Sequence, residues 1–483
     1  MHLNEVLLRL NRFKGLRFFG SSAYKLCTHT ISSVLFRIPE IRSLYMAGSM
    51  ASGDFVPGLS DIDIIVVISE MSPEKEYHFL RGLERKLRYL MPPFGKDKIG
   101  THVFVYSVKE WSLLGDLSAG KKFGPPLKLF EKDIDIFTRR YDNDTKALQH
   151  FYKAAWRLEA LQDNLSSPVK SAFDLRARQR TMERCLQSVL HGLNEMNADA
   201  PPSPRLTELT NRIITLQDKS RELNEASSFK SLLPQIIQIF DVAIRNGFSS
   251  VPVDAELPEA SNNMDDGRKI NTARMQAAEL FKNIFGDNPG TTDGSHELMI
   301  CTTTYDYIVF DLERHEISEK LIRYYAANKK SGLRMMSPYL LNRLYLNFPT
   351  VSYTLIKFPE CKASIIKGRP DRSRLVNDTY SILPQLRATA KRQNSETYKS
   401  LSNWTHHIIR AWNMQRNTTL SVPGEMKSGE AKSSDIHAEV ENEYERFRKL
   451  KSMSSVLTAL LDEGTNTQSP YDSRQHLSES TFV

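Results

Sequence analysis

Gly48-Ser49 is followed, after eleven residues, by Asp61-Ile62-Asp63 at the head of the apolar run Ile64-Ile65-Val66-Val67-Ile68. In Met46-Ala-Gly-Ser-Met50 the glycine lets backbone approach a phosphate closely, and the serine hydroxyl and neighbouring N–H groups can hydrogen-bond its oxygens. Side chains alternate along a strand, so Asp61 and Asp63 project from one face, where two carboxylates can share a hard cation. Ile62 and Ile64 then point into the core. Carboxylates this close repel unless a cation sits between them, and Mg²⁺ bridging to substrate phosphates relieves the repulsion. Ser60, heading Ser-Asp-Ile-Asp, joins Gly48 and Ser49 as a candidate phosphate contact. The plainer alternative is a polar turn into a buried strand, with Pro57-Gly58 supplying the turn.

The segment Ala47-Gly-Ser-Met-Ala-Ser-Gly-Asp-Phe-Val-Pro-Gly-Leu-Ser-Asp-Ile-Asp-Ile-Ile-Val-Val67 resembles the polymerase-beta-like nucleotidyltransferase superfamily. Its look is that of the minimal nucleotidyltransferase and aminoglycoside adenylyltransferase-like branch, over residues 40–140 and extending to 246. The resemblance implies an α+β fold: a short mixed sheet with flanking helices, the glycine-serine turn entering a helix and the aspartates on the next strand. It implies Gly48 and Ser49 as nucleotide contacts and Asp61 and Asp63 as catalytic metal ligands for Mg²⁺. The implied reaction moves an NMP, AMP with ATP as donor, from an NTP to an acceptor hydroxyl and releases pyrophosphate.

In this superfamily a third carboxylate lies on a later strand. The strand in that place, Gly100-Thr-His-Val-Phe-Val-Tyr-Ser107, has no Asp or Glu. Thr101 or His102 takes the position, and Asp97 and Glu110 lie outside the strand. His102 is therefore a candidate catalytic base, since imidazole can accept a proton near neutral pH, although a histidine on a strand also serves as an ordinary hydrogen-bonded residue. Gly124-Pro-Pro-Leu-Lys-Leu-Phe-Glu-Lys-Asp133 looks like the strand-and-turn segment that follows in these transferases.

Positioning these residues requires a strand, a turn, a helix and a strand in that order. The helix is Pro73 to Leu90, with Tyr77, Leu80, Leu83, Leu87 and Leu90 at helical spacing. The chain divides into an N-terminal helical segment (1–45), the nucleotidyltransferase-like core (46–144) and a helical domain (145–248), broken at Pro201-Pro202 and Pro234. A Pro, Ser, Asn and acid-rich linker (249–268), a second α+β or mostly helical region (269–418) and a polar tail with one charged helix (419–483) follow. The helical domain is expected to close over the acceptor, with Tyr152, Trp156, Arg157 and Glu159 as cleft candidates or as ordinary core. In the second region Leu298–Leu312 and Val351–Phe358 read as strands and Ile317–Asn328 as helix. Asp306 and Asp311 do not reproduce the glycine-serine and paired-aspartate pattern, so no duplicated site is read there.

At 483 residues, 40% apolar and 25% charged, the chain can bury two or three cores. No apolar run approaches a membrane span, and Met1–Gly15 reads as an amphipathic helix rather than a leader. Cys27, Cys185, Cys301 and Cys361 have neither metal-ligand nor disulfide spacing, which fits a cytoplasmic setting. The net charge of +8 is dispersed. Its densest run, Lys170, Arg176, Arg178, Arg180 and Arg184, reads as a solvated helix face in preference to a nucleotide or RNA contact. Three functions stand: a nucleotidyltransferase acting on a small-molecule or protein hydroxyl, a catalytically weak or inactive nucleotide-binding or regulatory protein, and an RNA-directed transferase or RNA-binding module. The last requires affinity that falls steeply with salt.

Overall fold

The structure is a computed structural model. It describes residues 14–52, 55–56, 62–90, 102–118, 127–132, 139–165, 171–198, 203–222, 232–233, 235–240, 242–244, 298–301, 306–309, 333–336, 354–357, 372–388, 395–416 and 443–463. Ser60 and Asp61, the linker 249–268 and the helix expected at 317–328 lie outside the described residues.

The first sheet is built from β1 (Ile41–Ala47), β2 (Asp63–Ile68), β3 (Val103–Ser107) and β4 (Leu127–Glu131), in the order β3-β2-β1-β4. β1 runs antiparallel to β2 and β4, and β2 runs parallel to β3. β1 begins at Ile41, inside the segment read as N-terminal helices. β3 begins at Val103, so His102 precedes the strand instead of lying within it.

The run Ile64–Ile68 is continuous rather than alternating because both faces of the sheet are covered. Ile64, Val66, Ile68, Val103 and Val105 pack with Ile31 and Leu35 of α1 (Lys14–Phe36) and with Tyr77, Leu80, Leu83 and Leu87 of α3 (Pro73–Leu90). Between them in the chain lies α2 (Gly48–Ser52), the short helix entered from β1. Ile65, Val67 and Tyr106 face the other way, onto Trp111, Leu113 and Leu114 of α4 (Val108–Leu114) and onto helices from much later in the chain.

Helix starts follow local capping chemistry. Ser107 and Glu110 form a reciprocal capping box at α4. Asp142 Oδ1 accepts from Thr145 N (2.7 Å) at the start of α5 (Asn143–Leu165). Ser171 caps α6 (Ala172–Met196), and Ser203 precedes Pro204 at the first turn of α7 (Pro204–Glu222). With the helical residues at 232–233, 235–240 and 242–244 these form a helical domain in which Phe151, Leu186, Ile213 and Phe240 are buried. Gly192 permits a close approach of α6 to α5, since a Cβ there would lie 2.7 Å from the Phe151 ring.

The second sheet comprises β5 (Leu298–Cys301), β6 (Asp306–Val309), β7 (Leu333–Met336) and β8 (Thr354–Lys357). Three helices follow: α8 (Arg372–Ala388), α9 (Ser395–Arg416) and α10 (Glu443–Glu463). They do not stand apart as a C-terminal region and a tail. Leu375, Leu383, Ile409, Trp412, Leu450, Leu457 and Leu460 complete the core on the second face of the first sheet.

A buried ionic network pins this arrangement. Arg387 on α8 bridges Glu76 of α3 (2.8 Å) and Glu110 of α4 (2.5 Å). Lys451 of α10 pairs with Glu76 (2.8 Å), and Ser454 donates to Glu110 Oε1 (3.0 Å). Burial pushes the Glu110 carboxyl up, but Arg387, Lys451 and the Ser107 N–H together outweigh it and hold it below the usual carboxylate range. α8 also ties in the helical domain, since Asn377 Nδ2 donates to the Thr145 carbonyl (3.0 Å) and Tyr152 OH to Asp378 Oδ1 (3.2 Å).

Candidate active site

The hairpin of β1 and β2 ends in the register pair Ala47 and Asp63, so the residue after Ala47 must turn beneath the Asp63 carboxylate. That residue is Gly48, with φ of 65°, a left-handed conformation that glycine adopts without Cβ strain. A Cβ on Gly48 would lie 2.1 Å from Asp63 Oδ2 and 3.0 Å from its Cγ. The glycine is therefore required twice, for the backbone angle and for the space the carboxylate occupies. Ser49 follows at the first turn of α2, 8% exposed.

β3 runs parallel to β2 with Ile64 opposite Val103, which sets His102 beside Asp63. The backbone of His102 accepts from Ile64 N (2.8 Å), and its Nδ1 lies 3.8 Å from Asp63 Oδ1. The position beside Asp63, immediately before the neighbouring parallel strand, therefore holds an imidazole. Glu110, one of the two nearby acids, is consumed by the α4 capping box and the Arg387 network and takes no part in the site. Gly48, Ser49, Asp63 and His102 are thus brought together. A carboxylate seated on a glycine turn is a hard oxygen donor of the kind Mg²⁺ takes. Among the described residues no group of three or more His, Cys, Asp or Glu side chains is gathered for a metal.

The helical domain contributes charge. Arg157 on α5 donates through Nη1 to the Arg184 carbonyl (3.1 Å) and to Ser188 Oγ, which orient it against α6. Burial and then Arg184 lower its pKa to about 10, while the Asp63 carboxylate, within electrostatic reach, acts in the opposite direction. Lys153, one turn earlier, is lowered to about 8 by burial and by Arg157. His150 is held at about 2 by burial, then by Lys153, His191 and Arg157.

The basic run expected as a solvated face is so only in part: Arg176 is exposed, and Lys170 lies outside the described residues. Arg178 is 5% exposed, and Arg180 and Arg184 are half-buried and act electrostatically on Arg157. Lys153 belongs to no motif in the sequence, although its spacing of four from Arg157 places both on one helix face. Of the other cleft candidates, Trp156 is exposed and Tyr152 is bonded to Asp378.

Residues 27–103 match the family model described as a nucleotidyltransferase domain. The match runs from α1 to the first residue of β3 and includes Gly48, Ser49, Asp61, Asp63 and His102. This part of the chain is a nucleotidyltransferase domain of the polymerase-beta-like superfamily, with the α+β mixed sheet that such a domain implies. It implies an NTP substrate and, as usual for such domains, a divalent metal. No curated protein and no solved structure matches the chain. Among the described residues no helix is long and apolar enough to cross a membrane.

Proposed function

We propose that the domain transfers AMP from ATP, in a Mg²⁺-dependent reaction, to a hydroxyl of a small molecule or protein in the cytoplasm. The observation that carries this reading is the Asp63 carboxylate seated against the Gly48 backbone, where any larger residue would displace it. Asp63, with Asp61, would hold Mg²⁺, whose chemistry when bound is to neutralise triphosphate charge. Gly48, Ser49 and Ser60 bind phosphate oxygens, and Arg157, held by Arg184 and Ser188, adds positive charge from the helical domain. The acceptor oxygen bonds to the α-phosphorus as the bond from that phosphorus to the β-phosphate oxygen breaks. Pyrophosphate leaves with the electron pair, and the hydroxyl proton passes to His102. Much of the rate comes from positioning.

A second reading is supported by the imidazole beside Asp63: the protein binds nucleotide and transfers weakly or not at all. The deciding assay follows label from α-labelled ATP, GTP, CTP and UTP into a lysate containing small molecules, RNA and protein, with Asp61→Asn/Asp63→Asn as control. Labelled product from wild type alone supports transfer, and its size class identifies the acceptor. Labelled RNA, with binding that falls steeply in salt, would move the acceptor to nucleic acid. Silence from both proteins, with nucleotide still bound by the wild type, would replace transfer with binding.

A further inference from the structure

We infer that residues 298–357 are a second, reduced copy of the nucleotidyltransferase sheet, from which the nucleotide-handling element has been removed. The two sheets have one plan. In the first, β1 is antiparallel to β2 and to β4, and β2 is parallel to β3. In the second, β5 is antiparallel to β6 and to β8, and β6 is parallel to β7. The orders β3-β2-β1-β4 and β7-β6-β5-β8 are therefore the same once the second set is renumbered from its first strand.

At the leading antiparallel pair the agreement extends to register and residue type, whereas β3 and β4 are each offset by one residue from the places that β7 and β8 take. In the first sheet the last residue of the leading strand, Ala47, pairs with the first residue of the next, Asp63. In the second sheet Cys301 pairs with Asp306 in the same way. The following residues are Asp63-Ile-Ile-Val and Asp306-Tyr-Ile-Val. Parallel neighbours need a long crossover, and both copies provide one, residues 69–102 in the first and 310–332 in the second.

The difference lies at the chemistry. Fifteen residues, 48–62, join β1 to β2 and include Gly48, Ser49 and α2, whereas four residues, Thr302-Thr-Thr-Tyr305, join β5 to β6. That link is the length of a hairpin loop and contains no glycine. A phosphate cradle needs successive backbone N–H groups turned toward the anion; the longer link has Gly48 in the left-handed conformation and the first turn of α2 for this, whereas the shorter link has no glycine and is too short to hold such a helix. The copy keeps an aspartate at the start of its second strand and loses the partner that gives this aspartate a substrate. The chain is thus a tandem of one nucleotide-binding unit and one silent unit, with a single nucleotide site per chain; the silence of the copy rests on the reading of Gly48 and Ser49 given above.

Two measurements on the full chain test this. For the plan, a short bis-maleimide should link Val309→Cys/Met336→Cys, whose positions are register partners in the parallel pair, and should not link Asp306→Cys/Met336→Cys, which an antiparallel pair would bring together. Peptide mass spectrometry separates these links from any at the natural cysteines. The reverse pattern, or linkage of neither pair, overturns the duplication. For the silence, Mg²⁺ and a non-hydrolysable ATP analogue should titrate to one equivalent per chain, lost in Asp63→Asn and unchanged in Asp306→Asn. Two equivalents, or one that survives Asp63→Asn and disappears in Asp306→Asn, overturns it. No binding by the wild type would refute the proposed function at Gly48, Ser49 and Asp63 while leaving the duplication to stand on the cross-links.

Discussion

Replacing Arg387 with methionine should unlock the C-terminal helices from the nucleotidyltransferase sheet. The guanidinium is 2% exposed, and its carboxylate partners Glu76 and Glu110 are 1% and 2% exposed. Methionine fills most of the aliphatic volume, so the loss is chiefly electrostatic. Glu76 retains Lys451 at 2.8 Å. Glu110 retains hydrogen bonds from Ser107 N (2.8 Å) and Ser454 Oγ (3.0 Å), but among the described residues no other cation in direct contact. One buried carboxylate is then left without its ion-pair partner, a change that costs about 3–5 kcal/mol.

The pH dependence has a definite sign. In the wild type the folded-state pKa of Glu110 is lowered, so its contribution is present above the unfolded value of about 4.3 and is lost as pH falls through the folded value. In the variant burial acts without Arg387 and raises the pKa, so the penalty is greatest at neutral pH and fades as the carboxyl takes up a proton. Urea unfolding followed by tryptophan fluorescence reads this directly, because Trp111 and Trp412 lie in the core that α8 completes. The expected stability gap is about 3–5 kcal/mol at pH 7.5 and clearly smaller at pH 5. A gap below about 1 kcal/mol, or an equal gap at the two pH values, would show that the network does not hold the helices in place.

Gly48→Ala should abolish transfer and nucleotide binding, because its Cβ would fall 2.1 Å from Asp63 Oδ2 at a φ of 65°. The stability loss should be only about 1–3 kcal/mol, and calorimetry beside the transfer assay separates the two effects. His102→Ala should lower kcat by about 10²–10⁴ while the KM for nucleotide changes little, as for loss of a proton acceptor; an unchanged kcat removes His102 from the chemistry. Gly192→Ala should destabilise the helical domain by roughly 1–3 kcal/mol through overpacking against the rigid Phe151 ring at 2.7 Å, with thermal unfolding as the readout. A gain in stability there would mean that α5 and α6 have room to separate.

The local chemistry of the site was legible in the chain because it is written at short range. Gly48-Ser49 and Asp61-Ile-Asp63 lie within sixteen residues, and the short run of apolar β-formers after Asp63 and the helical spacing of 73–90 predict β2 and α3 without knowledge of distant contacts. Strands were legible at 298–312 and 351–358, but β7, four residues without a strong pattern, was not. α8 was not legible either, since Pro384, a helix breaker by type, lies inside its continuous run and its polar residues Asn377, Asp378 and Arg387 are buried against partners hundreds of positions away. Glu110 shows the same limit, as nothing within its own segment distinguishes a spare acid from one committed to Arg387.

Tertiary structure alone decided which helices cover the second face of the sheet, set Arg180 and Arg184 of α6 half-buried within electrostatic reach of Arg157, and gave one strand order to two sheets whose sequences share little beyond Asp-x-Ile-Val. The physical reason is common to all three. Periodicity reports whether a residue is buried, whereas the partner that buries it is chosen by chain packing between segments whose separation in sequence carries no local signature.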